Sequence, residues 1–306
     1  MKKAFLLDAH PSRQLIFTLL IVIGSWLLFQ ILGMVSGMLV FGLSFDEMLN
    51  SMQTISDNRI VGFLKYVQAF TSAGMFIFAA GLAAWYIEPD WKDFLGLKKH
   101  PGWLISFLAV AFIVVILPFT NLLTYYNANI VFPPFLEGVE TFFHEKEDQM
   151  MEIMESFLKP GAAGGLLVNL LVIAIIPAIG EELIFRGVIQ KLLNRWFKNA
   201  HWAIFLTAFL FSAMHFQFLS FLPRFFLGII LGYLFLWSGS MWVAILVHFI
   251  NNAVAVVFYF YYYGGYYGKY LEEVGTPGNG FAFALIGAIA GFGLLSLLYR
   301  KTRLDN

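Results

Sequence analysis

Six side chains that are costly to bury fall within one apolar stretch of this chain. Of the nineteen acidic residues, only two adjoin the interior of an apolar run, and only two of the six histidines lie inside one. A charge at the centre of a bilayer costs about 2.5–3.5 kcal/mol on insertion scales, so such residues usually face a cavity and have a function. The six lie within 68 residues: Glu181, Glu182, Arg186, His215, Arg224 and His248.

The spacing of these residues predicts which side chains meet. Glu182 and Arg186 are four residues apart, so on a helix they share one face and can form an ion pair. Glu181 is turned by about 100° from Glu182, which leaves its carboxylate available for other chemistry. His248 and Asn252 are also four apart and present an imidazole and an amide to one place. The pattern indicates a buried polar site.

Each feature also has a purely structural interpretation. A Glu–Arg pair near the end of a span is often only an anchor, and a membrane histidine more often hydrogen-bonds between helices than it catalyses. His248 and Asn252 could join helices in the same way. Arg224 is expected at the outer interface and is assigned no chemistry. The structural interpretations become weaker when these residues are considered together. Glu181, His215, His248 and Asn252 lie on three predicted spans, consecutive among those that contain polar residues, with few other polar residues nearby.

Composition identifies a lipid bilayer as the solvent of this chain. Of 306 residues, 60% are hydrophobic and 12% are charged, with a mean hydropathy of +0.77, whereas soluble domains carry roughly 25% charged residues. The net charge is zero, so nothing indicates a nucleic-acid partner. The absence of cysteine excludes disulfides, thiolate metal sites, a catalytic thiol and lipidation on sulfur. We predict an all-α transmembrane helical bundle in a membrane.

The chain has eight apolar runs, and most of them approach or exceed the roughly 20 residues needed to cross hydrocarbon. The first is about twice as long as the apolar region of a signal peptide, so it is expected to remain as an anchor. The sixth run is short. If the division between the fifth and sixth runs at Pro223 is wrong, the number of spans is seven. The runs are 14–42, 62–87, 103–126, 164–184, 202–220, 223–238, 241–262 and 280–299.

The distribution of basic residues predicts that both termini lie in the cytoplasm. Segments on that side would hold twelve Lys and Arg residues, whereas the outer segments would hold five. The polar stretch at about 128–162 predicts an amphipathic helix on the outer surface, or else a solvated loop with some helix. The five outer basic residues are Arg59, Lys65, Lys146, Lys159 and Lys269.

Two further patterns are typical of membrane packing rather than of chemistry. Glycines four apart, at Gly228 and Gly232 and at Gly287 and Gly291, permit close approach of helices. The tyrosine-rich run at 258–267 fits an aromatic belt at the outer interface.

Three motifs, in this order, resemble those of a known protease family. Residues 181–186 (Glu-Glu-Leu-Ile-Phe-Arg) fit Glu-Glu-x-x-x-Arg, residues 211–215 (Phe-Ser-Ala-Met-His) fit Phe-x-x-x-His, and residues 248–252 (His-Phe-Ile-Asn-Asn) fit His-x-x-x-Asn. The chain resembles the CAAX protease and bacteriocin-processing family (CPBP, or Abi) of intramembrane endopeptidases. Eukaryotic members of that family trim prenylated proteins after the modified cysteine.

The resemblance divides the chain into three parts. Residues 164–260 would form the catalytic core, in which Glu182 and Arg186 would support the site structurally. Residues 1–160 would hold the N-terminal spans with the polar outer segment, and they carry no motif of the family. Residues 261–306 would form the last span and a cytoplasmic tail.

The resemblance also implies catalytic roles. Glu181, helped by His215, would be the general base that activates water. His248 and Asn252 would stabilise the oxyanion that forms when water attacks the scissile carbonyl. This chemistry needs no nucleophilic side chain, because a carboxylate is a competent base and preorganised donors can supply several kcal/mol.

A zinc mechanism is the alternative, since the family has often been called metalloproteases. Glu181, His215 and His248 could then meet around the ion as three ligands. The motif His-Glu-x-x-His is absent, however, and the two histidines are 33 residues apart. Asn252 is a better hydrogen-bond donor than zinc ligand. We therefore expect a metal-free mechanism with no cofactor.

The predicted function is hydrolysis of a peptide bond in a membrane-associated peptide or protein, with the bilayer itself as the other partner. A second hypothesis is a non-catalytic protein that binds a partner, as in self-protection against bacteriocins. A third is a secondary transporter, but transporters commonly show inverted repeats, and here the polar residues are confined to one half of the chain. The expected location is the inner membrane of a bacterium, where prenylated substrates are absent.

Overall fold

Nearly all of the chain is described by the structure, which is a computed structural model. The described residues are 4–51, 57–159, 161, 164–262 and 273–304. Residues 263–267 of the tyrosine-rich run, like Lys2, Lys3 and Lys269, lie outside them, so the aromatic belt stays a prediction.

The fold is an all-α polytopic bundle, as predicted, with 83% of the structure helical and no strand among the described residues. The helices are α1 Pro11–Phe41, α2 Phe45–Leu49, α3 Asn58–Ile87, α4 Trp91–Phe94, α5 Trp103–Val115, α6 Leu117–Ala128, α7 Glu137–Leu158, α8 Gly165–Phe197, α9 Ala200–Ala213, α10 Phe221–Ser238, α11 Met241–Tyr262 and α12 Phe281–Leu304.

Six of the described helices are long and apolar enough to cross a membrane, namely α1, α3, α8, α10, α11 and α12. Helices α5 and α6 bend by 44° at their junction and make a seventh span if the pair is counted as one. The bend follows from Pro118 at the start of α6, which has no amide hydrogen to continue the ladder of α5. The expected count of eight is not confirmed, because the run 202–220 forms only the 14-residue α9.

Two connections rich in basic residues lie at the same end of the bundle. Arg195, at the end of α8, forms an ion pair with Glu88 just after α3, with 2.6 Å between Nη2 and Oε1. Lys191 donates a hydrogen bond to the carbonyl of Phe94 in α4. The segments after α3 and α8 therefore face the same side, as the basic-residue bias requires.

We expect this end of the bundle to face the cytoplasm, because it holds most of the basic residues. In Lys98→Cys, an impermeant maleimide should then fail to label intact cells and should label permeabilised ones. Glu145→Cys, in α7 at the opposite end, is the matched control and should be labelled in intact cells. The chain has no cysteine of its own. Labelling of Lys98→Cys from outside would reverse the orientation.

The polar stretch forms the amphipathic helix predicted for it, α7. Lys65 of α3 donates to the carbonyl of Phe157 at 2.9 Å and is 1% exposed. Lys65 was counted with the outer segments, and the structure places it near the start of α3, buried against α7. Its ammonium group sits at the C-terminal end of α7, where the helix carries a partial negative charge. This contact fixes one end of α7 against the bundle.

The spaced glycines allow the helices to pack closely, as predicted. A Cβ at Gly228 or Gly232 of α10 would come within 2.9 Å of side chains on α9. A Cβ at Gly287 or Gly291 of α12 would come within 2.7 Å of the α5–α6 pair. Larger residues at these four positions would push the helices apart.

Candidate active site

Helix α8 carries three ionisable residues through the centre of the bundle. Glu182 and Arg186 have no exposed surface, and Glu181 is 8% exposed. The predicted ion pair is present, because Arg186 Nη1 donates to Glu182 Oε1 at 2.7 Å. The helix widens into π-helical turns over Leu183–Gln190, directly after the two glutamates. Such turns are rare and often occur at functional sites.

Arg186 is fixed by a neighbouring helix as well as by Glu182. Its Nη2 donates to the carbonyl of Gly228 in α10 at 3.1 Å. Gln190, one turn further along α8, donates to the carbonyl of Gly232 at the same distance. The glycines of α10 therefore bring its backbone close enough to serve as acceptors for polar side chains of α8.

His248 of α11 stands between the two glutamates. Its Nδ1 lies 2.8 Å from Glu182 Oε1, the oxygen that also accepts from Arg186. Its Nε2 lies 3.9 Å from Glu181 Oε2. An ionised carboxylate only accepts hydrogen bonds, so Nδ1 is the nitrogen that donates to Glu182. Glu182 thereby orients the ring so that Nε2 faces Glu181.

His215 does not lie inside a span, and this corrects the expectation. Helix α9 ends at Ala213, and Phe216 adopts φ +53°, so His215 lies in the connection to α10. Its Nδ1 is 2.8 Å from the carbonyl of Phe211, to which it donates. This leaves Nε2 available to accept a proton. Hydropathy missed the break because the connection is itself apolar.

The ring of Phe211 connects His215 to the rest of the site. The rings of Phe211 and His215 are in contact, with ring centroids 5.2 Å apart. The same ring lies 5.8 Å from the ring of His248 and 5.4 Å from that of Phe185. The guanidinium carbon of Arg186 lies 4.7 Å from its centroid. Residues from α8, from α11 and from the α9–α10 connection thus surround this ring of α9.

Asn252 of α11 reaches the backbone of α8. Its Nδ2 donates to the carbonyl of Ile173 at 3.2 Å, and its Oδ1 accepts from Asn251 at 3.1 Å. Ile173 precedes Pro177 by four residues, so the proline removes the donor that would normally satisfy this carbonyl. A carboxamide nitrogen has two N–H groups, and the contact with Ile173 uses one of them.

The zinc alternative does not fit this arrangement. Among the described residues, no three His, Asp or Glu side chains are grouped so that they could hold a metal ion. Glu181, His215 and His248 therefore do not form a ligand set here.

Two backbone carbonyls complete the site and were not predicted. They belong to Gly228, which accepts from Arg186, and to Ile173, which accepts from Asn252. The second had a signal in the sequence, because Pro177 frees the carbonyl four residues upstream. For the carbonyl of Gly228, the sequence contains only the glycine spacing of α10, which does not predict the helix that packs there.

The fold and the site together define a helical membrane protein with a glutamate–histidine cluster at its centre. Residues 163–254 match the family model described as type II CAAX prenyl endopeptidase Rce1-like. This segment, which contains all three motifs, is similar to that family, and the resemblance seen in the sequence is confirmed.

One curated relative is an uncharacterized protein, YpbD, of Bacillus subtilis (strain 168). It is 29% identical over 90 residues, which is 28% of this chain and 43% of that protein. The chain thus matches less than half of the length of this relative. No solved structure matches the chain.

Proposed function

We propose that the chain is an intramembrane endopeptidase that cleaves a membrane-associated substrate with water activated by Glu181. The observation that carries this proposal is the pairing of Glu181 with His248, whose Nε2 lies 3.9 Å from Glu181 Oε2. Glu182 holds the other nitrogen of that ring. A base and an oriented imidazole therefore face one another inside the segment that is similar to a protease family.

The gap between the two groups suits one water molecule. A water about 2.8 Å from each of Glu181 Oε2 and His248 Nε2 would make an angle of about 90° between them. In the proposed reaction, Glu181 removes a proton from this water as its oxygen attacks the scissile carbonyl. The carboxylic acid then returns the proton to the departing amine. His215, with Nε2 unprotonated, assists the base.

The oxyanion of the tetrahedral intermediate needs donors that are already in place. We propose the second N–H of Asn252 and, when the ring is protonated, Nε2–H of His248. Asn252 is held by the hydrogen bond from its other N–H to Ile173, and His248 is held through Nδ1 by Glu182. Arg186 contributes by fixing Glu182. No metal ion or other cofactor takes part in the proposed mechanism.

The substrate is proposed to be a peptide segment in or on the bilayer, because the site lies within membrane-spanning helices. A bacterial relative supports a bacterial cytoplasmic membrane as the location.

Comparison of membrane-protein termini tests this function directly. Cells that carry the wild-type chain should contain peptide termini that are absent when the chain is Glu181→Ala. Glu145→Ala, an exposed position in α7, is the matched control and should retain them. Identical termini in all three strains, with equal amounts of protein, would contradict proteolysis and favour the binding-protein alternative.

A further inference from the structure

We infer that Glu147 of α7 positions the His215 loop, residues 214–220, for catalysis. This inference rests on the proposed function, because it concerns the histidine that assists Glu181. Glu147 lies outside the family segment 163–254 and outside every motif. It would give the N-terminal half of the chain a part in the reaction.

Glu147 contacts the loop through one carboxylate oxygen. Its Oε1 accepts from Ser220 Oγ at 2.7 Å and from Gln217 Nε2 at 3.3 Å. Gln217 is two residues after His215, and Ser220 is five residues after it. The carboxylate oxygen therefore binds the loop at two points, its middle residue and its last residue.

Other contacts from the N-terminal half hold the same loop. Phe143, one turn before Glu147, stacks on Phe218 with ring centroids 4.7 Å apart and planes 14° apart. Asn127 of α6 donates to the carbonyl of Phe218 at 2.9 Å and accepts from the amide of Leu222 at 2.6 Å. The loop is thus supported from outside its own helix pair.

The conformation of the loop needs such support. Phe216, the neighbour of His215, has φ +53°, which is uncommon for a residue with a side chain and persists only where surrounding contacts hold it. Its own ring is 75% exposed, so it contributes little packing. The contacts made by Gln217, Phe218 and Ser220 therefore decide where the backbone of His215 lies.

Glu147 is also linked to Arg224, a half-buried cation. Gln217 Oε1 accepts from Arg224 Nη2 at 2.6 Å, so the amide of Gln217 bridges Glu147 and Arg224. Arg224 in turn interacts electrostatically with Glu181. Hydrogen-bond networks of this kind are strong in a low-dielectric interior. Loss of the carboxylate would loosen the bridge and, with it, the loop.

The kinetic test separates positioning from mere folding. For a cleavable membrane peptide, Glu147→Ala should lower kcat by about tenfold or more, because displacements of about 1 Å near a reacting group are costly. KM should stay within about twofold. Glu147→Gln should retain most of the activity, since an amide oxygen still accepts from Ser220. Glu145→Ala, with the same loss of charge on the same helix, should match the wild type.

A double-mutant cycle tests the contact itself. Ser220→Ala should also lower kcat, and adding Glu147→Ala should lower it little further, because the two residues act as one unit. An unchanged kcat in Glu147→Ala, a change in KM alone, or full additivity with Ser220→Ala would overturn the inference.

A measurement without substrate keeps this inference distinct from the proposed function. A spin label on Phe216→Cys, the only cysteine in that variant, should become more mobile when Glu147→Ala is added and should not respond to Glu145→Ala. An unchanged spectrum would overturn the inference whatever the activity. A mobilised label in a protein that cleaves no peptide would refute the proposed function and still show that Glu147 holds the loop.

Discussion

Replacing Glu181 with glutamine is expected to abolish peptide cleavage while leaving the fold intact. The amide has nearly the shape of the carboxylate but cannot accept a proton from water. General-base catalysis contributes about 10²–10⁴-fold, and loss of the base should therefore bring turnover to the background. Glu145→Gln, an exposed position, is the matched control and should cleave normally. The measurement is turnover of a membrane peptide by purified protein in detergent or in vesicles.

The same assay distinguishes the metal-free mechanism from a zinc mechanism. Without a metal, activity should survive strong chelators, and His248→Ala or Asn252→Ala should each lower turnover by about 10²–10³ through loss of one oxyanion donor. Elemental analysis of the same preparation measures its metal content independently of activity. One zinc per chain, with activity restored by zinc after chelation, would refute the metal-free mechanism but not the protease assignment.

Replacing Arg186 with alanine is expected to give the largest loss of stability. The guanidinium pairs with Glu182, donates to the carbonyl of Gly228 and lies against the ring of Phe211. Removing one partner of a fully buried ion pair typically costs about 3–5 kcal/mol, because the other charge remains buried. The melting temperature and the yield of folded protein in detergent should both fall.

A partly exposed ion pair between α8 and the segment after α3 provides the control for Arg186. Arg195 pairs with Glu88, and the two side chains are 40% and 23% exposed, so Arg195→Ala should cost under about 1 kcal/mol. Adding Glu182→Gln to Arg186→Ala should recover part of the loss, since it removes the stranded charge. A melting temperature unchanged by Arg186→Ala would show that the pair contributes nothing to folding.

Contacts within one helical turn were predictable from the sequence. Glu182 and Arg186 are four residues apart on α8 and meet as the helical period predicts. The amphipathic helix α7 was also predicted, because its apolar residues recur with that period. In each case the geometry follows from backbone conformation alone.

Contacts between distant parts of the chain could not be predicted in this way. His248 and Glu182 are 66 residues apart, and the sharing of one carboxylate oxygen depends on how α11 packs against α8. The burial of Lys65 depends on where α7 lies. The end of α9 before His215 was missed because an apolar turn and an apolar helix have the same hydropathy, although only the helix satisfies its own backbone.

The shortness of α9 has a consequence for the lipid around it. Fourteen residues rise about 21 Å, against a hydrocarbon thickness of about 30 Å. Trp202 is 62% exposed at the start of α9, where an aromatic side chain suits the headgroup region. The non-helical backbone beyond Ala213 cannot face acyl chains. Where α6 and α7 leave this loop uncovered, headgroups and water would reach deeper, and such a hydrophobic mismatch would thin the bilayer locally. A substrate helix that reaches this edge would leave the hydrocarbon there. This would favour local unwinding of that helix, which has to precede hydrolysis of a peptide bond within it.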